Sequence, residues 1–160
     1  MKKHKDLHCI IIIVTFLLVL GLDLLSKYFF TDKYFTLIPN FISITYKENT
    51  GAAGSILEGH TKFLIVVSFI FLAIMIVFDI FLKEKNWLYS ISFSLVIAGA
   101  VGNLFDRIVF GYVRDFIRIE FINFPFIFNV ADMALSVGVF CLCVFFLFFY
   151  KDKKKNEIWI

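Results

Sequence analysis

Four stretches of this chain are each long and apolar enough to cross a lipid bilayer, and nothing else in it restricts the fold so strongly. They run roughly over Cys9–Phe29, Phe63–Leu82, Trp87–Phe110 and Phe128–Tyr150, and about 20 consecutive apolar residues suffice for a helix to span the hydrocarbon core. With 61% hydrophobic and only 18% charged residues among 160, the chain departs from the composition of a soluble domain. It is expected to be a small polytopic membrane protein forming a single domain over residues 1–160, without repeats or linkers.

The net charge of +3 hides a strong pattern. Lys2, Lys3 and Lys5 precede the first span, Lys83 and Lys85 flank the short turn between the second and third, and Lys151, Lys153, Lys154 and Lys155 follow the fourth. Basic clusters mark cytoplasmic flanks, so both termini and that turn are placed inside. A nucleic-acid role for the basic tail is set aside, because no globular domain accompanies it. The basic start and the run Cys9–Leu22 resemble a signal peptide, but Asp23 and Lys27 follow where a small-residue cleavage site would stand, which indicates an uncleaved first span.

This topology leaves residues 30–62 and 111–127 on the outer side. Both carry period-2 patterning: Ile42, Ile44 and Tyr46 alternate with Ser43, Thr45 and Lys47, and Val113, Asp115, Ile117, Ile119 and Phe121 alternate with Arg114, Phe116, Arg118 and Glu120. The expected architecture is therefore an α-helical membrane protein: four transmembrane helices, a small extracytoplasmic β-like cradle and an amphipathic periplasmic loop.

The strong polar residues converge on one leaflet. Asp23 and Lys27 share a face at i, i+4 near the outer end of the first span, and Asn103, Asp106 and Arg107 share one near the outer end of the third. Asn129 and Asp132 stand at i, i+3 just below the outer start of the fourth. Ion pairs of Asp23 with Lys27 and of Asp106 with Arg107 could simply tie helices together. That reading does not extend to Asp115 and Asp132, which have no cation at helical spacing; Arg114 and Arg118 lie on the opposite strand face from Asp115. An ionised carboxylate at membrane depth costs roughly 2.5 to 3.5 kcal/mol on insertion scales. Two carboxyls in a dry setting can share one proton, which is the chemistry of an aspartic protease.

Other chemistries find little support. The turn Asn49–Gly54 needs no function by itself, and Ala98, Gly99, Ala100 and Gly102 are explained by close helix packing. Ser26 and Lys27 are adjacent on a helix and point apart, so they make a poor dyad. Cys9, Cys141 and Cys143 lie in apolar runs, with no metal-ligand spacing to His4, His8 or His60 and no disulfide role. Neither paired-His and paired-Cys motifs nor a phosphate loop occurs, so no metal or other cofactor is expected.

Five blocks, in order over about residues 20–135, give the chain a specific resemblance: Asp23-Leu24-Leu25-Ser26-Lys27, Asn49-Thr50-Gly51-Ala52-Ala53, Gly99 through Arg107, Val113-Arg114-Asp115-Phe116, and Phe128-Asn129-Val130-Ala131-Asp132. In these it resembles the lipoprotein signal peptidase family (signal peptidase II), inner-membrane aspartyl proteases of bacteria. The resemblance implies that Asp115 and Asp132 are the catalytic dyad, that Asn49, Asn103, Arg107 and Asn129 line the substrate site, and that Asp23 and Lys27 support it, with Gly51 and Asp106 counted alongside. It also implies a substrate, a prolipoprotein whose lipobox cysteine already bears a diacylglyceryl group and which is cut just before that cysteine. The implied enzyme works in the bacterial inner membrane as a monomer among lipids, with its active site near the outer leaflet. Gly54 stands where an aromatic residue commonly follows the turn, and Ala98 replaces the first of two glycines. Which aspartate acts as base stays open. The principal rival is a small proton- or ion-coupled transporter, since intramembrane Asp, Asn and Arg also line ion paths. Against it, Asp79 is the lone charged exception in the cytoplasmic halves of the spans; a third reading is a structural assembly subunit.

Overall fold

In hydrocarbon the backbone has no water to bond, so each apolar run must close its own N–H and C=O groups, and a helix does this within one segment. The computed structural model describes residues 2–52, 56–83, 85–121 and 127–150, with side chains from Leu7 onward. Its helices are α1 (Lys2–Phe30), α2 (Thr61–Phe81), α3 (Trp87–Val109) and α4 (Val130–Val144), the last continuing as a π-helical turn over Phe145–Phe149. Four helical segments among the described residues, each at least 20 residues long, meet the length and composition of a membrane span. The last helix starts at Val130 and not at Phe128, because Asn129 adopts an extended backbone and serves as its N-cap. The side chains of Lys2, Lys3 and Lys5, the turn residues Ala53 and Gly54, and the basic run Lys151–Lys155 lie outside the described residues.

The helices are turned inside out relative to a soluble bundle. Leu17, Leu22, Ile80 and Phe81 are each at least 60% exposed, whereas Asp23, Lys27 and Asp106 are fully buried. Apolar side chains therefore face the lipid, and polar ones face each other. The third helix is the central one: 61% of its spanning segment is buried, against 6% for α1 and for α2. Its small residues permit this. A Cβ on Gly99 would collide with the Ala131 carbonyl and the Leu135 side chain of α4, so glycine there sets how closely the two helices approach. Ser94 Oγ donates to the Ile12 carbonyl of α1 at 2.8 Å, a further tie across the bundle.

At the opposite end of α3, Asp79 anchors α2. Its carboxylate accepts from Tyr89 Oη at 3.0 Å and pairs with Lys85 at 3.0 Å and His8 at 3.4 Å. The charged exception noted in the sequence is thus a helix tie at the α2–α3 turn.

Between the helices run four antiparallel strands in sequential order, β1 (Tyr34–Ile38), β2 (Ile42–Asn49), β3 (Val113–Ile119) and β4 (Ile127–Phe128). The two strands expected from alternation are β2 and β3. The first strand carried no such signal, because all five of its side chains are exposed and alternation arises only where one face is buried. β3 is buried on both sides from Val113 to Phe116. Phe116 packs on Phe30 of α1 with ring centres 5.0 Å apart, while Val113 and Asp115 line a cavity. Over Val113–Phe116 the strand is therefore wedged between helices and cavity, with both parities hidden, whereas Arg118 further along is exposed.

Candidate active site

The site grows from a helix start and a strand end. An α-helix leaves its first N–H groups without intrahelical partners, and α4 answers with a capping box. Asn129 Oδ1 accepts from the Asp132 N–H at 2.9 Å, and Asp132 Oδ2 accepts from the Asn129 N–H at 3.2 Å. A third N–H, that of Ala131, donates to Asp23 Oδ1 of α1 at 2.8 Å. The i, i+3 pairing of Asn129 and Asp132 read from the sequence is this box. Carboxylates at a helix N-terminus are also favoured by the helix dipole.

On the sheet, Asn49 ends β2. Its Oδ1 accepts from the Gly51 N–H at 2.9 Å, which fixes the turn, and its Nδ2 donates to Asp115 Oδ2 at 2.9 Å. Asn129 Nδ2 reaches Asp115 Oδ1 at 2.7 Å, and Asn103 Nδ2 reaches Asp132 Oδ1 at 2.7 Å. Each of the four carboxylate oxygens thus meets one amide N–H, and Asn129 touches both carboxyls.

Behind this layer lies a charged one. Lys27 Nζ donates to Asp23 Oδ2 at 2.8 Å and to Asn103 Oδ1 at 3.1 Å, and stands 3.4 Å from Asp106 Oδ2. With its carbonyl oxygen occupied by Lys27 and by Asn129 Nδ2, Asn103 can only present its amide protons to Asp132. A Cβ on Gly102 would fall on the Asp23 carboxylate, so glycine there makes room for the ion pair. The expected Asp23–Lys27 pair is present.

The expected Asp106–Arg107 pair is not. Neighbouring helix residues point about 100° apart, and Asp106 turns to Lys27 and Arg114, while Arg107 donates through Nη2 to the Gly51 carbonyl at 2.8 Å. Arg107 Nε is buried without a hydrogen-bond partner among the described residues. Arg114 is the residue that sequence reasoning missed. Its partner lies eight positions away across a turn, where no helical or strand spacing would reveal it.

Asp115, Asp132, Asn49, Asn103 and Arg107 line one wall of a cavity of about 720 Å³, and Ile119, Ile127, Phe128, Met133 and Val137 line much of the rest. That volume suits a small ligand or peptide segment. Burial first, and then the neighbouring charge of Asp132, pushes the Asp115 carboxyl up to about 7, against the opposing pull of its Asn49 and Asn129 donors and of Lys27. A carboxyl that keeps its proton near neutrality beside a second carboxyl is suited to general acid and base work. Among the described residues, no group of three or more His, Cys, Asp and Glu side chains forms a metal-ligand set.

The chain matches the family model for signal peptidase (SPase) II over residues 15–148. It is 42% identical over 146 residues to a lipoprotein signal peptidase of Enterococcus faecalis, covering 88% of this chain and 89% of that protein. It is 46% identical over 133 residues to one of Caldicellulosiruptor bescii, covering 83% and 85%. Among solved structures, two bacterial membrane enzymes superpose with TM-scores of 0.79 and 0.77 at 34% and 33% identity, covering 85% and 87% of this chain and 87% and 94% of theirs.

Proposed function

The chain belongs to the signal peptidase II family, membrane peptidases that remove signal peptides from prolipoproteins, and we propose that it does so as an aspartyl endopeptidase with Asp115 and Asp132 as its dyad. The observation that carries this reading is the pair of carboxyls at the cavity wall, each oxygen held by its own amide donor and both carboxyls bridged by Asn129. The transporter reading finds no support among these relatives.

A dyad of this kind works with one proton between its two carboxyls. Asp115, the one pushed up to about 7, holds that proton, and Asp132 is the base. Asp132 takes a proton from a water, the resulting hydroxide adds to the scissile carbonyl carbon, and Asp115 gives its proton to the carbonyl oxygen. The tetrahedral diol then collapses. Asp132 returns its proton to the leaving amine as the C–N bond breaks, and Asp115 recovers one from a diol hydroxyl. Arg107, which lines the cavity and is held through Nη2 by the Gly51 carbonyl, is suited to hold a carbonyl of the bound peptide.

The substrate is a prolipoprotein whose cysteine bears a diacylglyceryl group, and the cut falls just before that cysteine. Its acyl chains stay in the bilayer beside the apolar wall at Ile119, Ile127, Phe128, Met133 and Val137. Both termini are cytoplasmic and the site lies near the outer leaflet, at the end of the bundle remote from the Lys83 and Lys85 turn. The proposed working unit is a monomer. Mass spectrometry of the products formed from diacylglyceryl-modified and unmodified forms of one prolipoprotein tests the substrate assignment. The expected result is a single cut before the modified cysteine and none in the unmodified form; equal cutting of both would overturn it.

A further inference from the structure

Arg114 precedes Asp115 on β3 and takes no part in the dyad chemistry, yet it is anchored from several sides. Its Nη2 donates to Asp106 Oδ1 at 2.8 Å, its Nε to Asp106 Oδ2 at 3.3 Å, and its backbone N–H to that same Oδ2 at 3.0 Å. The guanidinium carbon lies 4.4 Å from the centre of the Phe110 ring. Asp106 is fully buried near the C-terminal end of α3. These contacts clamp the β3 backbone to the end of that helix one residue before Asp115. Successive strand side chains point to opposite faces, so holding Arg114 against α3 turns Asp115 toward the cavity.

The clamp also reaches the second carboxyl. Asp106 stands 3.4 Å from Lys27, Lys27 holds the Asn103 carbonyl, and Asn103 donates to Asp132. The Arg114 carbonyl itself accepts from Asn129 Nδ2 at 3.4 Å. Asp23, Lys27, Asp106 and Arg114 form a buried set of balanced charge.

We infer that Arg114 is a positioning residue for both aspartates, setting Asp115 through the β3 backbone and Asp132 through Asp106, Lys27 and Asn103. The inference rests on the dyad assignment above. Without Arg114 the buried set keeps one uncompensated negative charge, and Lys27 is drawn from Asn103 toward Asp106. The other charged groups around Asp115 are Asp132 on α4, Lys27 on α1, Arg107 on α3 and Lys47, its register partner on β2. An added negative charge nearby makes Asp115 harder to ionise.

Kinetics of R114M, R114K, D106N and the R114M/D106N pair on a diacylglyceryl-modified substrate in detergent, with D115N as control and a melting temperature for each, test this. R114M, D106N and the pair are each expected to lower kcat about ten- to a hundredfold, with KM little changed and without the losses multiplying in the pair. The alkaline limb of kcat/KM should move up in R114M and return in the pair, where charge balance is restored. R114K keeps the charge without the two-pronged grip and should recover only part of kcat. A folded R114M with wild-type kcat, or losses that multiply in the pair, overturns the inference. Should R114M fail to fold, R114K decides: a kcat several-fold below wild type supports the clamp, and a wild-type kcat overturns it. An active D115N, or an inactive folded wild type, would strike the dyad assignment itself.

Discussion

Asp115 is the side chain whose titration should govern the pH dependence of this protein. Burial and the charge of Asp132 raise it to about 7, so the folded protein holds that proton more tightly than the unfolded chain does. The stability this contributes is complete at acid pH and is lost as pH rises through about 7. Activity should follow in the same direction. We expect kcat/KM to fall on an alkaline limb centred near pH 7 in wild type. Asn49 donates to Asp115 and pulls its titration down, so Asn49→Ala should move that limb to higher pH. A pH–rate profile checks both, and a limb that stays in place or moves down in the variant would show that Asp115 does not control it.

At the scale of the elements, the start of α4 does two jobs that a single substitution can separate. Asn129 caps the helix through Oδ1 and orders both carboxyls through Nδ2 and its backbone N–H. Serine also caps helices well, so Asn129→Ser keeps the cap and should cost only the lost buried amide donor, about 1–3 kcal/mol of stability. It lacks the side-chain amide donor to Asp115 but keeps the backbone N–H to Asp132, and kcat should fall at least about tenfold from the misplaced Asp115 carboxyl. Thermal unfolding alongside kinetics would show the split. The other end of α3 gives the converse case. Asp79→Leu removes the acceptor shared by Tyr89, Lys85 and His8, and should lower stability by about 1–2 kcal/mol with kcat unchanged. These elements also show what a sequence can reveal. Asp23 with Lys27 and Asn129 with Asp132 are legible because helical spacing brings each pair together, and β2 and β3 are legible from alternation. β1 escapes because it buries nothing, and the Asp106–Arg114 clamp escapes because it joins a helix end to a strand across a turn. Assigning Asp106 to Arg107 failed because adjacency along a helix is not proximity in space.

Across the whole molecule, the charged turn at Lys83 and Lys85 and the polar site occupy opposite ends of α3, a helix of 23 residues about 34 Å long. If the site lies near the outer leaflet, as proposed, a cysteine introduced at Asp32 should react with a membrane-impermeant maleimide added to intact cells, and one at Lys83 should not; the reverse pattern would invert the topology. This placement also explains the inside-out bundle. Apolar helix faces meet the lipid, and the buried charges hold the two carboxyls at the cavity. The most direct test is cleavage of a diacylglyceryl-modified prolipoprotein by purified wild type, Asp115→Asn and Asp132→Asn, each shown to be folded in detergent. An aspartyl dyad requires cleavage by wild type and its loss in both variants. Wild-type cleavage by either folded variant would contradict it.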